Sequence, residues 1–330
     1  MVFALKDTWL WDSWYARDGD IWHGFFLQAP KSLIDPDARH LRATQRHATS
    51  TDLTNWTDLG TTFGPAKSPA WDDSTTWTGS VVQDDAGLWH LFYTGTNLAE
   101  KSLYQRVGHA TSTDLHTWTR VGDGLCLDIT GPNADCYEAE HMIGHWHDRA
   151  MRDPWVMRDP DSTGWLMYFT ARAPGIPEAN GGGCVGFATS PDQQTWTLRP
   201  PVFTGGYGQL EVPQVFRHGD HWYCLFCTSS HHWSNHTRAT NPETSVTGSH
   251  YLIADHPRGP WRLPPGPFLD GAEPCRRYAA RIVDGPHGLV ILGFADGGKD
   301  HFGGYVMDPE PVTVSGDGLL TVHPIAEAAK

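Results

Sequence analysis

No stretch of this 330-residue chain approaches the ~18 consecutive apolar residues that a helix needs to cross a bilayer, so a membrane-spanning helix is excluded. The first residues, Met1-Val2-Phe3-Ala4, offer neither a basic region nor a following apolar core, and no signal peptide is expected. Basic charge is scarce: 24 Lys and Arg stand against 38 Asp and Glu, a net of −14. Such a surface repels phosphate backbones and anionic lipid, so neither nucleic acid nor a membrane is expected as a partner. Cysteine is too sparse and scattered for a disulfide scaffold, at six in a chain this long. Cys224 and Cys227 form a CxxC, but inside the apolar run Trp222–Cys227. Side chains three apart on a strand face opposite ways, which makes a poor zinc chelate. Buried structural thiols and a reducing, cytoplasmic location are expected. Long helical periodicity is missing as well, which removes helix bundles and α/β folds.

What the chain does have is Trp, Gly and Pro, at 16, 35 and 24 residues, the composition of many short strands and turns. It also has a repeat. His47–Thr57 (HATSTDLTNWT) recurs as His109–Thr119 (HATSTDLHTWT) and as Phe187–Thr197 (FATSPDQQTWT), with a degenerate copy at Leu252–Trp261. Each reads as a strand, a polar turn in which Thr and Asp bond their own backbone, and a Trp that opens the next strand. Alternating apolar runs precede the copies at Trp22–Leu27, Leu88–Tyr93, Trp165–Phe169 and Trp222–Cys227; a fifth is Leu289–Phe294. Anchors near Asp12, Gly79, Asp153, Glu211 and Tyr278 divide the chain into five units of about 60–75 residues. Units of four strands that cannot bury both faces alone predict an all-β, five-bladed β-propeller with four-stranded antiparallel blades, one domain over residues 1–330. A pair of β-sandwiches or another all-β arrangement is the competing fold. Trp56, Trp118, Trp196 and Trp261 recur with the repeat and are expected between blades. The segment 123–150, rich in His, Glu and Gly, is longer than a blade loop needs and is expected over a site.

Residues at the start of each first strand of a propeller converge on one mouth of the central channel. Three of the five anchors are acids. Asp12 lies in Trp9-Leu10-Trp11-Asp12-Ser13-Trp14, a carboxylate among three indoles. Three carboxylates in one funnel repel, which raises at least one pKa. Glycoside cleavage uses two such groups, one to protonate the leaving oxygen and one to attack or to activate water. Arg152, beside Asp153, can keep a neighbour ionised. Trp11, Trp14, Trp77 and Tyr278 are candidate walls for a sugar ring. Arg158-Asp159-Pro160 repeats the Arg-Asp-Pro of residues 152–154, but Asp159 precedes a turn and reads as hairpin chemistry. Glu138 and Glu140 are the reserve acids. His231 or His232 is placed at the pocket rim. His141, His145 and His147, and the loop of His231, His232 and His236, lack a matching framework of acids or thiolates, so no metal and no cofactor are expected.

The ordered set of motifs resembles the β-fructofuranosidase and levansucrase clan, glycoside hydrolase families 32 and 68. Trp11-Asp12-Ser13-Trp14 resembles the nucleophile motif of family 68. His23–Pro30, which carries Gln28, looks like the strand after the nucleophile in family 32. Trp77-Thr78-Gly79-Ser80 is similar to the Ser-Gly-Ser motif of both. Met151-Arg152-Asp153-Pro154 matches their Arg-Asp-Pro, and Leu210–Phe216 resembles the family 32 acid/base segment. Tyr278-Ala279-Ala280-Arg281 is similar to their fifth-blade strand. The resemblance spans roughly residues 9–300. It implies a five-bladed propeller and a retaining mechanism through a covalent fructosyl-enzyme, on sucrose or fructo-oligosaccharides. Asp12 is then the nucleophile, Asp153 the transition-state stabiliser and Glu211 the acid/base. Gln28, Ser80 and Arg152 become substrate-binding candidates with Trp11, Trp14, Trp77, His231 and Tyr278. Two other readings stand beside it: an inverting arabinofuranosidase or xylosidase of the family 43 type, and a sugar-binding propeller without turnover.

Overall fold

A computed structural model describes residues 2–141, 146–241, 243–297 and 301–325. Its strands form five four-stranded antiparallel sheets, each taking its strands in chain order. The first contains β1 (Thr8–Asp18), β2 (Ile21–Pro30), β3 (Thr44–Ser50) and β4 (Thr57–Phe63). The second contains β5 (Thr75–Gln83), β6 (Trp89–Thr96), β7 (Arg106–Ser112) and β8 (Thr119–Leu127). The third contains β9 (Met151–Arg158), β10 (Trp165–Arg172), β11 (Gly183–Ser190) and β12 (Thr197–Thr204). The fourth contains β13 (Glu211–His218), β14 (His221–Thr228), β15 (Thr247–Ala254) and β16 (Asp270–Ala272). The fifth contains β17 (Arg277–Gly285), β18 (Gly288–Ala295), β19 (Glu310–Val314) and β20 (Leu320–Val322). β1, β5, β9, β13 and β17 touch in sequence and β17 returns to β1, so the blades close into a ring. This is the predicted propeller. One short helix, α1 (Asn235–Thr240), is capped by Ser234, whose hydroxyl accepts from the Thr237 amide. No helix among the described residues is long and apolar enough to cross a membrane.

The repeat explains the blades. In three of them a Ser and an Asp, rather than Thr and Asp, hold the turn between the third and fourth strands. Ser50, Ser112 and Ser190 accept from the amides of Asp52, Asp114 and Asp192. Those aspartates in turn accept from Asn55, Thr117 and Thr195. The apex residue is left-handed in each: Leu53, Leu115 and Gln193, with φ of 64°, 61° and 65°. The Trp that follows packs where expected. Trp118 meets Phe25 of the first blade edge-on at 5.9 Å, and Trp196 meets Phe92 of the second at 5.6 Å.

Blades also join near the axis through buried side chains bonded to the neighbour's main chain. Gln45 donates to the Trp77 carbonyl. Ser80 accepts from the Val156 amide, Thr94 from the Asp153 amide and Ser249 from the Ala280 amide. Gln214 bonds both the amide and the carbonyl of Ile282. Each satisfies a main-chain group of a neighbouring blade's inner strand, and Ser80 and Gln214 do so from one inner strand to the next.

Every inner strand is interrupted near its start. Register slips at Asp12 in β1, at Thr78 in β5, after Arg152 in β9, after Glu211 in β13 and after Tyr278 in β17. In the last three the extra residue takes a left-handed backbone: Asp153 at φ 59°, Val212 at 54° and Ala279 at 48°. A bulge re-aims its side chain and bends the strand. Here five bulges surround one axis.

Candidate active site

The bulges bring three blades' acids together. Arg152 links two of them: its Nη2 lies 2.7 Å from Glu211 Oε1 and its Nε lies 3.4 Å from Asp153 Oδ2. Gln105 and Gln209 accept from the other guanidinium hydrogens. The Tyr278 phenol donates to Glu211 Oε2 at 2.5 Å. Asp153 is buried and accepts from Thr170 Oγ1 at 2.9 Å and from the Val212 amide at 3.1 Å. Asp12, partly exposed, accepts from Thr78 Oγ1 at 2.5 Å. It feels the charge of Glu211, and Asp153 feels the charges of Asp12 and Glu211. The three carboxylates therefore lie within electrostatic reach of one another at the bulged ends of three inner strands.

Their electrostatics follow from that crowding. Burial lifts Asp153 to about 7; Asp12 and Glu211 push the same way, against Arg152 and Thr170. Asp12 is raised too, by the desolvation of its surroundings and by Glu211, while Thr78, Arg281 and Arg39 oppose the rise. Burial works against the charge on Arg152, but Glu211 and Asp153 outweigh it. The Tyr278 phenol is pushed up by burial and by the nearby thiol of Cys227 and carboxylate of Glu211, so it serves as a donor.

The remaining candidates divide. Trp77 is half-buried, its indole donating to the His40 carbonyl at 2.7 Å. Trp11 is buried, with His40 against its ring edge and Arg39 over its face. Trp14 is fully buried and stacked on Phe25, so it packs as core rather than as a wall. Gln28 has its amide engaged within its own blade: the nitrogen donates to Thr44 and Thr61, and the oxygen accepts from Arg46. Ser80 stitches two blades through the Val156 amide, and Thr78, two residues earlier, is the member of that motif that reaches Asp12. His231 is exposed, and Asn180 holds its carbonyl. Its neighbour His232 faces the site instead, 3.3 Å from Gln209 and within reach of the Glu211 and Arg152 charges. Burial holds that imidazole below its usual pKa. The ring of Trp146, from the long segment over the site, stands edge-on to His232 at 5.1 Å.

The reserve acids are engaged elsewhere. Glu138 is buried in a pair with Arg172 at 2.8 Å, and Glu140 accepts from Tyr104. Asp159 sits at the β9–β10 turn, clasped by Arg258 at 2.6 Å, which holds its carboxyl down to about 2. Among the described residues no group of three or more His, Cys, Asp or Glu is arranged to hold a metal ion. His145 lies outside those residues. All six cysteines are unpaired, and Cys224 and Cys227 are buried in two different core clusters.

Thr78, Thr170, Gln209, His40 and Arg281 surround the acids without having been singled out as site residues. Thr78 and Arg281 carried a signal, as parts of the Trp77–Ser80 and Tyr278–Arg281 motifs; the others carried none.

The family described as glycosyl hydrolases family 32 N-terminal domain matches residues 14–258. The chain belongs to this family. An invertase of Kluyveromyces lactis is 25% identical over 248 residues, 64% of this chain and 34% of that protein. A levansucrase of Streptococcus mutans is 24% identical over 184 residues, 50% of this chain and 22% of that protein. This family 32 chain thus spans about a third or less of the length of these curated relatives. Its fold is also that of the inulosucrase from Halalkalicoccus jeotgali solved with kestose, with a TM-score of 0.76 at 23% identity over 98% of this chain and 90% of that one.

Proposed function

We propose that this family 32 chain is a retaining glycoside hydrolase or fructosyltransferase acting on β-fructofuranosides such as sucrose or fructo-oligosaccharides. The observation that carries the proposal is the meeting of Asp153 and Glu211, from two blades, around Arg152, with Asp12 of a third blade close enough for its charge to act on Asp153 and to feel Glu211. The names of its relatives, an invertase and a levansucrase, support the fructoside as substrate.

In this reading the Asp12 carboxylate attacks the anomeric carbon. Thr78 holds one of its oxygens and leaves the other to react. Glu211 delivers a proton to the leaving oxygen, then takes one from the incoming water or sugar hydroxyl. Arg152 and Tyr278 fix the Glu211 carboxyl from both oxygens. Asp153 receives ring hydroxyls and offsets positive charge as the sugar flattens; Thr170 and the Val212 amide fix its rotamer. Trp77, His40 and His232 would face the leaving sugar or acceptor. Six unpaired thiols support a reducing, cytoplasmic setting; recovery of the active protein only outside the cell would contradict that setting.

The test is an assay over sucrose, inulin- and levan-type oligosaccharides and an aryl arabinofuranoside, following the first-formed anomer. Release of β-fructose, or of a transfer product of that configuration, is expected. Net inversion on the arabinofuranoside would favour the family 43 type of chemistry, and binding without cleavage would favour a lectin-like propeller.

A further inference from the structure

Arg281 follows the fifth-blade bulge and is 1% exposed. Its Nε donates to the carbonyl of Ser13, the residue after Asp12, at 3.1 Å. Its Nη1 donates to the carbonyls of Val212 and Pro213, the two residues after Glu211, at 2.9 and 2.8 Å. Its guanidinium lies 5.2 Å from the ring of Trp155, on the strand that carries Asp153. One side chain from the fifth blade thus ties down the bulges of the first and fourth. Its Nη2 is buried without a partner. A buried cation is a costly way to fill space, and an apolar residue of that volume would pack more cheaply. Its length and two-sided fork match the task of bridging carbonyls on two blades.

We propose that Arg281 is a positioning residue that sets the separation of Asp12 from Glu211 and supplies positive charge beneath the acids. The proposal rests on the reading of those acids given above. Arg281 faces Asp153, Asp12, Cys227 and Tyr15. Burial draws it down to about 10, which leaves it charged at neutral pH. Asp12 in turn faces Glu211, Arg39 and Thr78, and Asp153 faces Arg152, Asp12 and Glu211.

Two variants separate charge from geometry. In Arg281→Met both are lost: the titration midpoints of Asp12 and Asp153, read by carboxyl carbon NMR, move up by about one unit, and the acid limb of kcat/KM moves with them. kcat falls about 100-fold or more with KM within about threefold, because the acids no longer sit at their working separation. In Arg281→Lys the charge stays and the fork goes: the midpoints hold at wild-type values, while kcat falls about tenfold. Unchanged midpoints in Arg281→Met, or a kcat within twofold of wild type in Arg281→Lys, overturn the proposal. If Arg281→Met does not fold, the lysine variant decides alone. The NMR titration needs no turnover, so a wild-type chain inert on every fructoside sinks the functional reading while the midpoints still judge Arg281.

Discussion

Asp153 shows how burying one carboxyl makes stability depend on pH. Its carboxyl titrates near 7 in the folded chain against 3.8 when exposed. Between those values the folded state keeps a proton that the unfolded chain has released. Stability therefore falls as pH rises from about 4 to about 7, then levels off. Asp153→Asn removes that dependence. At pH 8 the variant is expected to be more stable than wild type by about 4 kcal/mol, and the gap should close toward pH 4. Denaturant unfolding at the two pH values measures this; equal gaps at both would contradict it. Loss of activity separates the other two acids. Asp12→Asn and Glu211→Gln should each lower kcat by about 10³-fold or more with the fold intact. A loss below tenfold in either, by steady-state kinetics, removes that residue from the chemistry. Glu211 was legible because Glu-x-Pro is a distinctive string. Thr78 stood in the Trp77–Ser80 string without any sign that it bonds Asp12, and Thr170 stood in no motif; threonine is common in strands, and only the fold shows which two bond Asp12 and Asp153.

The bulge is the element that makes the site. In β1, Trp9 and Trp11 share a core face with Trp14 and Ala16. Odd and even positions can share a face only because Asp12 is inserted between them; a one-residue slip reverses every later side chain. Alternation read straight through the Trp-Asp-Ser-Trp string misplaces Trp14 for that reason. His231 and His232 were separable only by the short 3₁₀ turn at Ser230–His232, which turns the second inward. The bulge at Ala279 holds a non-glycine residue at φ 48° with its methyl buried. A β-branched side chain there adds backbone strain and crowding. Ala279→Val is expected to cost about 2 kcal/mol and to lower kcat by displacing Tyr278 from Glu211. Thermal melts and kinetics check it, and a variant unchanged in both would show that the bulge does not position Tyr278.

At the scale of the molecule, the repeat made four blades legible, because the turn and the Trp recur at blade length, and the apolar run Leu289–Phe294 supplied the fifth. The stitches at the axis were not legible. Gln45, Ser80, Thr94 and Gln214 are ordinary polar residues whose partners lie a blade away in sequence. Between blades, stability rests on aromatic contacts such as Phe92 against Trp196. Phe92 is fully buried, and Phe92→Ala should cost about 3–5 kcal/mol. Because the blades close on one another, that loss should shift the single unfolding transition rather than split it; a second transition in calorimetry would contradict this view of the ring. The proposed reaction turns on acids brought together from three blades, with Asp12 as the group that would bond the sugar. Mass spectrometry of Glu211→Gln, quenched after reaction with a nitrophenyl β-fructofuranoside, tests this most directly: that leaving group needs no proton, and water is left without a base. The account predicts one fructosyl unit on the peptide carrying Asp12; turnover with no adduct there, or an adduct on another residue, would contradict it.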